Sequence, residues 1–308
     1  MIPRILSCSL LTALFPLFPA LTANAAPIKV ATTTTMVSDL VRNVGGDRVV
    51  VDGLMGPGVD PHLYKPAATD VVKLSGATVI FYSGLMLEGR MADLFARMGR
   101  QGKKVYAVTE SIPREKLLEP EAFEGHWDPH VWGDPMLWSL CIETVVNGLS
   151  DADPEGRAHY AKRGEAFKEE LRELHEWALD RVAGIPKDQR ILITSHDAFN
   201  YFGNAYGFRV VGLQGISTVG EAGGADMVKM VDFIRQHGVK AVFVESSVPP
   251  AAMHRIRDDA GVRIGGELFS DAMGAPGHME TAAGETYDAG TYTGMIKHNV
   301  NTIVEALK

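Results

Sequence analysis

The run PEGRAHYAKRGEAFKEELRELHEWALDRVAGI, residues 154–185, decides the architecture. Phe167, Leu171, Leu174 and Ala178 step by four, three and four, the spacing that lines one face of an α-helix. Charged residues fill the other faces. Pro154 suits an early helical position, and Gly184 with Pro186 stops the run. The pattern predicts one helix of about thirty residues, against an average of about 11–12. An ordinary surface helix has no need of that length; a strut between two lobes does. At 308 residues the chain exceeds what one core usually supports, so a two-lobed body fits.

On either side of the strut the same alternation appears. Strands are predicted at IKVATTT (28–34), RVVVDGL (48–54), TVIFYSG (78–84) and KKVYAVT (103–109), with helices near 36–46, 67–76 and 88–99. The pattern restarts with RILITS (190–195), FRVVGLQG (208–215), KAVFVES (240–246) and VRIGGELF (262–269). Helices are expected near 197–206, 221–237, 249–260 and 287–307. Such β-α-β alternation builds mostly parallel sheets covered by helices. The expected fold class is therefore α/β, with two βα lobes at 26–153 and 185–308 joined by a linking helix at 154–184.

Residues 1–25 read as a secretory signal peptide: Arg4, an apolar stretch from Ile5 to Leu21, and small residues at Ala23 and Ala25. Cys8 raises the alternative of lipid attachment, but it precedes most of the apolar stretch that a lipidated cysteine should follow. A soluble exported protein starting near Ala26 is expected, with no stable membrane insertion. Losing Arg4 moves the formal charge from −8 to about −9, which does not suit nucleic acid as a partner. Cys141 is then the one cysteine left, so no internal disulfide forms and packing must hold the fold.

The chemistry lies at strand ends. DPHLY (60–64) and DPHVW (128–132) echo one another, and TSHDAF (194–199) and LFSDAMG (268–274) follow strands of the second lobe. They place His62, His130, His196 and Asp271 beyond the carboxyl ends of predicted strands, where open α/β sheets bind ligands. Three imidazoles and a carboxylate suit a first-row divalent metal held in the interlobe cleft. Four protein ligands close a tetrahedral shell and leave no position for an activated water, so binding is expected rather than catalysis. No phosphate-binding G-x-x-x-x-G-K-[ST] loop and no H-E-x-x-H is present. Glu245, ending a strand, and Glu221, opening a helix, are candidates to orient a ligating imidazole. His126 and His278 are better read as loop residues than as ligands.

The stretches GPGVDPHLYKPAATDVVKLSGATVIFYSGLMLE, DPHVWGDP, ILITSHDAFNYFGNAYGF, VFVESSVP and IGGELFSDAMG resemble the TroA-like metal-binding receptors of ABC transporters. The resemblance runs through essentially the whole mature chain. It implies two βα lobes on one long helix, metal between them, and His62, His130, His196 and Asp271 as its ligands. It also implies a periplasmic receptor, expected as a monomer, that delivers its cargo to a membrane permease with a cytoplasmic ATPase. Relatives favouring manganese often carry Glu where this chain has His196. Many dedicated zinc receptors carry a histidine-rich loop where EPEAFEGHWDPH holds only His126. Zn2+ is the first choice and Mn2+ the second. The alternatives are an exported zinc-dependent hydrolase, with Asp271 or Glu245 as base, and a metal-dependent surface adhesin.

Overall fold

The structure, a computed structural model, describes residues 26–308. The signal peptide read in residues 1–25, and Cys8 with it, lies outside the described residues. The first half opens with β1 (Ile28–Thr32), α1 (Thr35–Gly45), β2 (Val49–Gly53), α2 (Ala68–Gly76) and β3 (Val79–Tyr82). It continues with α3 (Ala92–Arg100), β4 (Lys104–Ala107), α4 (Pro135–Trp138) and α5 (Cys141–Ala152). β1 to β4 form one parallel sheet in the order β2-β1-β3-β4. In its register Val30 lies beside Val51 on one neighbour and Val79 on the other. The inner strand β3, with Val79, Ile80 and Phe81 all buried, is covered on both faces, hence its unbroken apolar run.

The long helix is α6 (Arg157–Val182), preceded by a 3-10 turn at Pro154–Gly156, so Pro154 starts the turn and not the helix. Its buried side is Tyr160, Gly164, Phe167, Leu171, Leu174, Ala178 and Val182, an unbroken three-and-four stepping along its full length. One end of this seam lies on α1, α4 and α5, and the other on α7 (Asn200–Tyr206) and α10 (Tyr292–Leu307) of the second half. At Gly164 a Cβ would stand 2.9 Å from Val146 Cγ2 and 3.0 Å from Ile142 Cγ2, so the missing side chain lets α5 approach closely.

The second half holds β5 (Ile191–His196), α7 (Asn200–Tyr206), β6 (Arg209–Gln214), α8 (Gly224–His237), β7 (Ala241–Glu245), α9 (Ala251–Ala260) and β8 (Arg263–Leu268). β5 pairs with β6 and β7 with β8, all parallel. β5 also lies against β7, but no backbone ladder joins them among the described residues. A hairpin of β9 (Met279–Ala282) and β10 (Glu285–Asp288) precedes the final helix α10 (Tyr292–Leu307).

One apolar core runs through both halves: Val30, Phe81 and Val145 from the first, Phe167 and Leu174 from α6, and Leu192, Phe243, Leu268 and Ile303 from the second. The outer faces of the sheets carry separate clusters, around Leu74, Ile80 and Phe95 in the first half and Ile193, Val242 and Ile256 in the second. No helix among the described residues is long and apolar enough to cross a membrane.

Candidate metal centre

His62 follows β2 across a turn, and Asp60 shapes that turn by accepting from the backbone N–H of His62 at 2.8 Å and of Leu63 at 3.4 Å. The second motif repeats the device. Asp128 Oδ1 accepts from the His130 backbone N–H at 2.9 Å, and it also lies 2.7 Å from His130 Nδ1. The ring therefore donates from Nδ1, which leaves Nε2 to face the other ring nitrogens. His196 ends β5, where Glu245, the last residue of β7, takes its backbone N–H at 2.8 Å and its Nδ1–H at 2.5 Å. Asp271 comes three residues after the end of β8.

These side chains converge. One ligand atom from each of His62, His130, His196 and Asp271 lies within 4.8 Å of every other. His62 Nε2 is 3.3 Å from His130 Nε2. Asp271 Oδ1 is 3.4 Å from His130 Nε2, and Asp271 Oδ2 is 3.3 Å from His196 Nε2 and 3.9 Å from His62 Nε2. Donors at about 2.0–2.1 Å from a tetrahedral ion stand roughly 3.3 Å apart, so these atoms lie close to the spacing of a metal's ligands. His130 and His196 are 0 % exposed, Asp271 1 % and His62 6 %, which seals the cluster from solvent.

Three of the converging atoms, His196 Nε2 and both oxygens of Asp271, are buried without a hydrogen-bond partner among the described residues. Native proteins rarely leave buried polar atoms unpaired, and an ion is one of the standard reasons. The electrostatics agree. Burial drives His62 down to about 4, against the attraction of Asp271. Burial also opposes charge on His130, but Asp128 and Asp271 outweigh it and hold the ring at about 9. His196 is raised well above its usual value by Glu245 and Asp271 despite burial. Asp271 is likewise buried, yet His196 and His130 hold its carboxyl well below the normal range. An anion facing imidazoles in a dry site is an environment prepared for a cation.

The structure separates the two acidic candidates. Glu245 lies on His196, whereas Glu221 is exposed and makes no hydrogen bond to an imidazole among the described residues. Nor does Glu221 open a helix: α8 starts at Gly224, and its first turn is closed by Asp226 accepting from the Gly223 N–H. His126 is exposed beside Phe123, and His278 lies near Glu280 at 3.4 Å; neither joins the cluster. Asn200 and Thr218, absent from the sequence reading, contact the two motif aspartates from the second half. Neither residue had a motif to announce it.

The chain is similar to known metal-binding proteins along most of its length. The chain is 44% identical over 287 residues to the manganese-binding lipoprotein MntA of Bacillus subtilis (strain 168), covering 91% of this chain and 90% of that one. It is 42% identical over 290 residues to the zinc-binding protein TroA of Treponema pallidum (strain Nichols), covering 92% and 90%. The solved structure of that periplasmic zinc-binding protein superposes with a TM-score of 0.85 over 92% of this chain and 99% of the other. The metal ABC transporter substrate-binding lipoprotein SloC of Streptococcus mutans (serotype c, strain ATCC 700610 / UA159) is 30% identical over 308 residues, covering 98% and 97%. Residues 30–306 match the family described as zinc-uptake complex component A, periplasmic, or ZnuA, and the chain belongs to that family.

Proposed function

We propose that the protein is an exported receptor that captures one divalent transition metal ion and delivers it to the permease of an ABC transporter for uptake. His62, His130, His196 and Asp271 are its ligands. The observation that carries this reading is the set of buried, unpartnered ligand atoms on His196 and Asp271, which converge with the Nε2 atoms of His62 and His130. Family membership supports the transport role, and SloC, named as a substrate-binding component of a metal ABC transporter, supports the permease as partner.

Zinc is the preferred cargo and manganese the second. MntA and TroA are named for different metals at nearly equal identity, 44% and 42%, so their names do not decide. The donors favour zinc: three imidazole nitrogens suit it, and zinc stands above manganese in the general order of affinity. A hydrolase gains no support, because of its two candidate bases Glu245 is committed to the backbone and ring of His196, and Asp271 faces the ring nitrogens of His130 and His196. We place the mature, monomeric protein free in the periplasm, although relatives are named lipoproteins. An intact mass starting near Ala26 supports that placement, and a diacylated mature protein overturns it.

The decisive experiment is native mass spectrometry of protein purified without chelator, followed by zinc and manganese competition. One ion per chain is expected, lost in His196→Ala and kept in the surface control His254→Ala. Equal loss in both variants refutes the site.

A further inference from the structure

Asp60 and Asp128 divide their oxygens in the same way. In each, Oδ1 serves its own motif, accepting the backbone N–H of His62 or of His130. In each, Oδ2 is taken by a donor from the opposite half of the molecule. Thr218 Oγ1 donates to Asp60 Oδ2 at 2.6 Å, and Asn200 Nδ2 donates to Asp128 Oδ2 at 3.0 Å. The two donors share neither chemistry nor element: Thr218 lies in the loop between β6 and α8, and Asn200 begins α7.

We propose that Thr218 and Asn200 are a two-point latch that holds the halves together over the cargo and sets the rate of its release. The proposal rests on the metal-receptor reading above. It follows from three facts of placement. The four ligands are sealed from solvent, so an ion leaves only when the halves part. Parting them must break both bonds, since each runs from one half to the other. Both acceptors are carboxylates, and hydrogen bonds to charged groups are roughly twice as strong as neutral ones.

Thr218 is the better placed of the two to yield. It is 7 % exposed, but its neighbour Val219 is 61 % exposed, so the loop reaches from the closed interior to the surface within one residue. Gly215, Gly220, Gly223 and Gly224 flank it; a Cβ would meet nothing within 4 Å at three of these, and only the end of the Asp226 side chain at Gly223. The backbone at these glycines is therefore not packed against neighbours. Because Oδ1 of Asp60 still shapes the His62 turn, releasing Thr218 frees the lobe contact without dismantling the ligand. The DPH aspartate thus positions its histidine with one oxygen and reports lobe closure with the other.

The test is stopped-flow release of zinc from the loaded full-length mature protein into excess chromophoric chelator. Thr218→Val, which keeps the shape and removes the donor, is expected to release zinc about tenfold faster than wild type, the effect of about 1.4 kcal/mol. Thr218→Ser restores the wild-type rate. Asn200→Leu also accelerates release, and the double variant exceeds either. Zinc association is not slowed, and the metal-free melting temperature of Thr218→Val matches wild type. Wild-type release from Thr218→Val, with stoichiometric zinc still bound, overturns the latch and leaves the receptor reading intact. So does faster release accompanied by an equal loss of metal-free stability, which marks a merely structural bond. Failure of the wild-type protein to bind zinc or manganese overturns both.

Discussion

At the scale of single residues, Glu245 shows how a ligand is prepared before any ion arrives. It accepts both the backbone N–H and the Nδ1–H of His196, which fixes the ring and its tautomer. Glu245→Gln is expected to weaken zinc binding about 10–100-fold while the fold persists; an unchanged affinity in a competition titration would sink that role. Asp39 is a different kind of buried acid. It sits between α1 and α10, accepts from Asn43 Nδ2 at 2.9 Å and Tyr292 N–H at 3.4 Å, and is pushed up to about 7 by burial. Unfolded, it ionises near 3.8. Between those values the folded chain holds the extra proton, so stability falls as pH rises from 3.8 to 7 and stays low above, a loss on the order of 4 kcal/mol. Asp39→Asn should therefore melt above wild type at pH 8, by a margin that shrinks at pH 5. A margin independent of pH contradicts the assignment. The four clustered residues were legible because two of them sit in a repeated word and all follow predicted strands. Thr218 and Asn200 were not, because a single polar residue in a loop or at a helix start carries no sign of which distant oxygen it meets.

At the scale of elements, strong periodicity was readable and tertiary packing was not. All eight parallel strands and the long helix follow from apolar runs and their spacing. The helix α5 escaped notice because CIETVVNGLSDA carries β-branched residues and a glycine, poor local helix formers. It forms because Cys141, Ile142, Val145 and Leu149 bury against the core. The β9–β10 hairpin hid for a related reason. Its two-residue turn is Ala283-Gly284, at φ of 52° and 82°, so an alanine occupies a left-handed position usually signalled by Asn or Asp. The α5–α6 contact can be tested at its closest point. Gly164→Val is expected to push on Val146 and Ile142 and cost about 1–3 kcal/mol in denaturant unfolding. A variant as stable as wild type would show that the helices can shift apart freely.

At the scale of the whole molecule, the two halves are not two cores. The boundaries 26–153, 154–184 and 185–308 remain our proposal for the architecture, while the apolar cluster running from Val30 through α6 to Ile303 ties the parts into one folding unit. Calorimetry should accordingly show a single transition, moved upward by zinc as one peak. Metal should change the small-angle scattering profile little, since a rigid helix on a shared core leaves small room for closure; a large compaction on loading would refute this. The size and class of the fold could be read from the sequence, but not this continuity, because residues hundreds of positions apart announce no common interior. The shared interior also bears on the economy of transport. Lobes that hinge freely let cargo leak back out by thermal motion, whereas these cannot separate far without wetting apolar side chains. On the receptor reading proposed above, unloading the protein then becomes work for the complex in the membrane.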